Sequence, residues 1–451
     1  MDSLTIGLLG LCALVVLIGI RVPIAFAMIA VGGGGIALLN GPAIVLSQLK
    51  DLAYGQFSIY DLSVVPLFIL MGAISARTGL SADLFRAANA WLGWMRGGVA
   101  MSAIAACAGF GAVCGSSLAT ASTMARVALP ELKKYNYSNR LGTGTIAAGG
   151  VLGILIPPSV VLIIYSIIVE ANVVTMFMAA LIPGLIAVVF FILTVLIYVL
   201  IVPEAGPKGE AVSRSELIGA TLNVAPVGVV FFVVIGGLYF GFFNPTPAAS
   251  VGVVMVTLIA ALRRRLSWVQ VQESLLETAR TAGMIFLILL GAELLKIFMS
   301  RGGVPQAMAE MMATSGLAPM TTLMILLLAL ILLGCLMDSL SMILLAIPFF
   351  WPVLVELNGG DWATAADSPF GLGTEELKIW FGILALIVVE LGLITPPVGM
   401  NVFIISAQAK DVPMSDTFLG VMPFFGAELL RVAVLIAFPA LTLWLPGVLS
   451  G

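Results

Sequence analysis

Two stretches of this chain, Gly115-Ser116-Ser117-Leu118-Ala119-Thr120 and Met337-Asp338-Ser339-Leu340-Ser341, place hydroxyls and one carboxylate inside apolar surroundings. Two others, Gly153-Ile-Leu-Ile-Pro157-Pro158 and Gly392-Leu-Ile-Thr395-Pro396-Pro397-Val-Gly399-Met400-Asn401, interrupt long apolar runs with paired prolines. Proline donates no backbone hydrogen bond and clashes with the preceding turn, so a helix breaks there and frees several carbonyls. In lipid each such group costs several kcal/mol unless something binds it. Unwound carbonyls beside Ser and Thr oxygens suit a hard cation such as Na⁺. The candidates are Ser116, Gly153, Pro157, Asp338, Ser339, Gly392, Thr395, Gly399 and Met400, expected to form two sites. The starts of half-helices expose N–H groups and a positive dipole end, which suit an anionic substrate; the candidates are Ser116, Ser117, Thr120, Asp338, Ser339 and Asn401. An Asp at bilayer depth costs about 2.5–3.5 kcal/mol on insertion scales and is functional by default.

Each feature has a structural alternative. A proline kink can be satisfied by neighbouring helices, and small residues let helices approach closely. The coincidence of two hydroxyl-bearing stretches with two breaks favours the functional reading. Glu293, Lys296, Glu390, Glu428 and Arg431 also fall in apolar spans; Glu293 with Lys296 and Glu428 with Arg431 are i, i+3 pairs on one helix face, expected to be structural or interfacial.

The elements that hold these groups occur twice. Pro396 and Pro397 follow Pro157 and Pro158 at an offset of 239 (396 against 157), which also aligns Gly392 with Gly153. Gly334 and Ser339 follow Gly111 and Ser116 at an offset of 223 (334 against 111). Residues 1–202 and 217–451 are therefore expected to be homologous halves joined by the Gly-, Pro- and charge-rich connector 203–216. Each half has two spans (Leu4 to Leu39; Ala225 to Leu262), a third span, an interfacial helix (Ser81 to Met95, with a serine cap; Pro305 to Thr314), a re-entrant hairpin (about 97–130; about 317–355) and a broken helix (141–168; 379–409). A polar connector around Lys50 and Asp51 and single long spans at Val174 to Val202 and Thr417 to Leu445 complete the outline.

With 61% hydrophobic and 10% charged residues, the chain reads as an all-α polytopic membrane protein. It contains no histidine, and its four cysteines lie in apolar runs without metal or redox spacing. His-based metal sites, proton relays and triads are excluded, no P-loop motif is present, and an intramembrane enzyme lacks a nucleophile with its base. The apolar start, Leu4 to Ile20, is expected to be a retained helix. Threading the scheme places fourteen basic residues, among them Arg21, Arg77, Arg96, Lys133, Arg263 and Lys410, on one side, and Lys50, Arg301 and Lys378 on the other. The first side is then the cytoplasm, both termini lie outside, and the halves are inverted in the membrane, an arrangement that places a transport site at the repeat interface.

The hairpins GSSLATAST and MDSLSMILLAIPFFWPV, the broken helices GILIPPSVVLIIY and GLITPPVGMNVFIISA, and the ends ALIPG and GVMPFF resemble the large membrane subunit, DctM type, of a tripartite ATP-independent periplasmic (TRAP) transporter over essentially the whole chain. The resemblance implies an elevator-type, Na⁺-driven importer of organic acids (a C4-dicarboxylate, sialic acid or similar carboxylate) in a bacterial inner membrane. Its partners would be a small four-helix membrane subunit, expected as a separate chain, and a periplasmic substrate-binding protein. A carboxylate or anion symporter of the same superfamily that needs no binding protein would share both hairpins. The segment Asn358 to Thr374 is longer than the family's usual connector.

Overall fold

The computed structural model describes residues 2–314 and 316–449, which form helices joined mostly by short turns, with longer connectors at 202–213 and 358–373 and no strand among them. The first half comprises α1 (Ser3–Gly19), α2 (Ile24–Asn40), α3 (Pro42–Phe57), α4 (Val64–Arg77), α5 (Leu80–Leu92), α6 (Gly98–Cys114), α7 (Ser117–Lys134), α8 (Asn139–Leu155), α9 (Val160–Ile168) and α10 (Val173–Ile201). The second comprises α11 (Arg214–Phe231), α12 (Gly237–Tyr239), α13 (Pro245–Leu262), α14 (Trp268–Arg301), α15 (Val304–Thr314), α16 (Pro319–Gly334), α17 (Ser339–Leu357), α18 (Thr374–Gly392), α19 (Met400–Gln408), α20 (Met414–Ala437) and α21 (Ala440–Leu449). Among the described residues, seven helical segments can cross a membrane by length and composition, and an eighth is the pair α8 and α9 taken as one span, bent by 47° at the Pro157-Pro158 break. Helices α10, α11 and α13 leave Leu193, Ile197, Leu222 and Leu258 exposed, as lipid-facing surfaces require. The protein is multi-pass.

Three expectations change. The segment around Lys50 and Asp51 is helical: α3 starts at Pro42 in the first turn, where its missing N–H is harmless, and presents Leu46 and Tyr54 outward. Helix α5 starts one residue before Ser81 and is capped by the left-handed Gly79 (φ 79°), while Ser81 is buried within it. The last expected span is two helices, because Pro439 follows an extended Phe438 and ends α20.

The helices pack as two groups. One contains both hairpins (α6–α7 and α16–α17), both broken helices (α8–α9 and α18–α19), α10, α20 and α21; the other packs α14 on α2 and α4, and α13 on α4. Helix α5 lies between α6 and α11. The basic residues grouped on one side by charge meet partners from the same side: Arg263 and Arg265 close on buried Asp83 at 3.0 and 2.6 Å, Arg77 on Glu277 at 2.6 Å, and Arg140 on Asp416 at 2.9 Å. Lys133, beside Asp411 at 2.6 Å, holds that carboxyl below its usual range. Arg301, from the opposite set, donates to Asn40.

Within the hairpin-bearing group, corresponding glycines make corresponding crossings. A Cβ at Gly111 would lie 2.6 Å from Gly153 Cα, and one at Gly392 would lie 2.6 Å from the Gly334 carbonyl carbon. Each hairpin's first helix thus touches its broken helix backbone to backbone, which only glycine permits. In the other group, a Cβ at Gly32 would come within 2.7 Å of the Leu294 backbone. Gly392→Ala should destabilise the protein by about 1–3 kcal/mol through overpacking. Gly426→Ala, in open space on α20, should change stability by no more than about 1 kcal/mol. Thermal unfolding of the purified proteins in detergent checks both.

Candidate ligand site at the hairpin tips

Both hairpins turn in the interior, and their second helices begin with side-chain caps. Ser116 Oγ accepts from Ala119 N at 3.4 Å at the start of α7. Asp338 caps α17, Oδ2 accepting from Ser341 N at 3.2 Å and Oδ1 from Ser341 Oγ at 2.6 Å. Such a cap is worth about 1 kcal/mol, and Asp338 spends hydrogen-bonding capacity on its own tip. The left-handed Gly115 (φ 64°) lets the first tip reach the first break, where a Cβ would lie 2.9 Å from Pro158 O.

Both tips face one cavity of about 390 Å³, lined by Ser116, Ser117, Asp338, Ser339 and Met400 from one helix group and by Gly72, Ala76, Glu277 and Thr281 from the other. Among the described residues no lysine or arginine lines it; Glu277, on its rim, is held by Arg77. The cavity can therefore offer an anion two helix starts and serine hydroxyls.

Behind the lining, the first break is close and buried. Thr120 is fully buried, and its Oγ1 has no hydrogen-bond partner among the described residues. A side chain at Gly153 would come within 2.4 Å of that oxygen and 2.7 Å of Ser116 O. A hydroxyl oxygen and a carbonyl oxygen thus face a bare glycine, a donor set that suits Na⁺. Pro157 is buried at the same break.

The second break is more open. Pro396, Pro397 and Val398 are exposed, whereas Ile156 to Ser159 are buried. Thr395 Oγ1 donates to Leu391 O at 2.6 Å, and the left-handed Gly399 (φ 59°) lies beside Thr395 O before Met400 starts α19. Gly392 is taken up by its crossing with Gly334. Asn401 lies away from the cavity: fully buried, it donates to Ala147 O of α8 at 3.4 Å and joins the two broken helices, its Oδ1 unpartnered among the described residues.

The structure adds Glu390, to which the sequence reading gave no role. It is fully buried on α18, and its Oε1 accepts from Ser117 Oγ at 3.4 Å and from Ser339 Oγ, one serine from each tip. The signal was present: Leu386, Ile387, Leu393 and Ile394 occupy the helical neighbour positions of Glu390, so its carboxyl had to find partners outside its own helix. The other carboxyls in spans do find such neighbours, Glu428 pairing with Arg431 in full burial and Glu293 with Lys296 at 3.8 Å. Among the described residues no three His, Cys, Asp or Glu side chains gather as a metal cluster.

The family model for the tripartite ATP-independent periplasmic transporter, DctM component, matches residues 11–441. The chain is 31% identical to the C4-dicarboxylate TRAP transporter large permease protein DctM of Pseudomonas aeruginosa, covering 91% of this chain and 93% of the relative. It is 27% identical to the sialic acid TRAP transporter large permease protein SiaM of Vibrio cholerae, with 95% and 96% covered. Among solved structures it is similar to the Alcanivorax borkumensis YdaH transporter, with a TM-score of 0.58 at 12% identity over 89% of each chain, a likeness of fold. The protein belongs to the DctM component family of tripartite ATP-independent periplasmic transporters.

Proposed function

We propose that this chain is the large membrane subunit of a Na⁺-coupled secondary importer, moving a small organic acid that a periplasmic binding protein delivers. The observation that carries the reading is the meeting of both capped hairpin tips in one cavity without a basic side chain. A carboxylate there would be held by the dipole ends and N–H groups of α7 and α17 with Ser116, Ser117 and Ser339. Na⁺ at the two breaks would supply the missing positive charge. The residues toward the first ion are Ser116, Thr120, Gly153 and Pro157; toward the second, Asp338, Ser339, Thr395, Gly399 and Met400. Relatives named as C4-dicarboxylate and sialic acid transporters support the substrate class.

The halves are read as inverted repeats in a bacterial inner membrane, with both termini outside. The matched glycine crossings support the repeat, and the one-sided clustering of Arg77, Asp83, Arg263 and Arg265 supports the orientation. A small four-helix membrane subunit would meet the apolar helices of the α2–α4–α13–α14 group. A second cavity, of about 560 Å³, lies further along α14 among Glu293, Lys296, Trp351 and Lys378, and its lining includes neither tip. Glu277 and Glu293 are separated along α14 by about 24 Å at the helical rise. In this conformation the tips open to the Arg77 side, which we read as inward-facing, and transport carries the hairpin-bearing group past α4 and α14 as a body.

In proteoliposomes with the small subunit and binding protein, uptake should be abolished when the Na⁺ gradient is replaced by a proton gradient. Uptake undiminished without Na⁺ refutes the coupling, and uptake that persists without the binding protein selects a symporter independent of it. Asp338→Asn keeps a capping oxygen and removes the charge, so the Na⁺ concentration for half-maximal uptake should rise about tenfold or more, with thermal stability within a few degrees of wild type. Unchanged Na⁺ dependence would leave Asp338 as a cap alone.

The body movement has its own test, in a background without the four cysteines. A bifunctional thiol reagent joining Ala76→Cys on α4 to Ala119→Cys on α7, opposite walls of the cavity, should stop uptake. A disulfide between Ser63→Cys and Thr246→Cys, whose side chains touch within the other group at 3.3 Å, should leave it intact. Full uptake through the Ala76–Ala119 bridge would replace body movement with local gating at the tips.

A further inference from the structure

The sharing of Glu390 Oε1 between two serines carries a consequence for how the halves communicate. Ser117 and Ser339 are the first residues of α7 and α17, each next to its cap, and each lines the tip cavity. Glu390 itself does not line it; the carboxyl sits behind both hydroxyls, fully buried, with Oε2 unpartnered among the described residues. Its helix cannot yield easily, because two residues on, Gly392 presses backbone to backbone on Gly334, and Val389 O would lie 2.9 Å from a Cβ at Gly334. The matching position in the first half, at the offset of the paired prolines (390 against 151), is Val151, so this carboxyl has no counterpart there.

We propose that Glu390 is a positioning residue that couples the two hairpin tips. One oxygen serves two donors, so whatever turns one hydroxyl toward a ligand in the cavity frees that oxygen for the other. In a buried, low-dielectric network such hydrogen bonds polarise one another. A ligand engaging the α7 tip therefore changes the hold on the α17 tip, though the tips belong to different halves and different hairpins. The coupling needs only the geometry described; its value for transport rests on the proposed function above, where it makes the two cation sites fill together.

A double-mutant cycle tests it with purified protein in Na⁺-free detergent. Ser117→Ala, Ser339→Ala and the double variant are compared by thermal unfolding, first with Glu390 present and then with Glu390→Met, which keeps the length of the side chain and removes both acceptors. With Glu390 present, the double variant should depart from the sum of the single shifts by at least about 2 °C; with Met the shifts should add. Should Glu390→Met not fold, Glu390→Leu, which also removes both acceptors, takes its place with the same expectation. Additive shifts in the wild-type background overturn the proposal, and so does an equal departure in both backgrounds, which would route the coupling elsewhere. In proteoliposomes, Glu390→Met should lower the Hill coefficient of Na⁺-dependent uptake toward 1 while uptake remains measurable, an effect that loss of packing alone does not produce; an unchanged Hill coefficient counts against it. A non-additive cycle in a protein whose uptake ignores Na⁺ would sustain the coupling and reject the Na⁺ reading.

Discussion

The constraint on which the structure depends is that backbone ends lie deep inside an apolar body. Two hairpins turn there, the first helix break is buried there and the second opens at Pro396 to Val398, and each exposes N–H and carbonyl groups that lipid cannot satisfy. The protein meets this by bringing the ends together. Ser116, Ser159 and Asp338 cap the helices that start in the interior, and Gly115 folds the first tip onto Pro158. The groups that would be a liability singly become, in company, a polar cluster at one place in the molecule.

Close approach is what makes that company possible, and glycine supplies it. The Gly111–Gly153 and Gly334–Gly392 crossings set each hairpin against its broken helix with no side chain between, and a Cβ at Gly72 of α4 would lie 2.7 Å from Cys114 O at the first tip. Interfaces of this kind hold little hydrophobic driving force in lipid and rest on van der Waals packing and a few hydrogen bonds. They also have smooth surfaces. The contact between Gly72 and the tip belongs to the boundary between the two helix groups.

Electrostatics separates what is held from what is available. Buried charges away from the cavity have charged partners: Arg431 bonds Glu428 and Pro183 O, and Asp83 gathers Arg263 and Arg265. Around the cavity the balance is open, with Asp338 a cap, Glu390 shared between two serines, and Thr120 Oγ1 unpartnered among the described residues. Buried polar groups without partners are costly, and beside the tips Thr120 Oγ1 and Glu390 Oε2 are two of them.

Much of this was legible in the residues alone. Paired prolines inside apolar runs dictate a break wherever they occur, because the missing donor and the ring clash are local, and the helices do end at Leu155 and Gly392. Ser116 and Asp338 announced helix starts by residue type, since a short acceptor side chain next to an apolar run is a cap signal. The long apolar runs gave the class because bilayer thickness sets span length. Tertiary structure alone decided which candidates share a wall. Asn401, beside the second break in sequence, turns to α8 because helix rotation is set by neighbours, and Gly392 is consumed by its crossing. Glu390 could be seen as a carboxyl needing a distant partner, but not as the one that meets both tips. That meeting depends on how two hairpins from opposite halves close around α18, and no spacing along the chain encodes a junction of three separate elements.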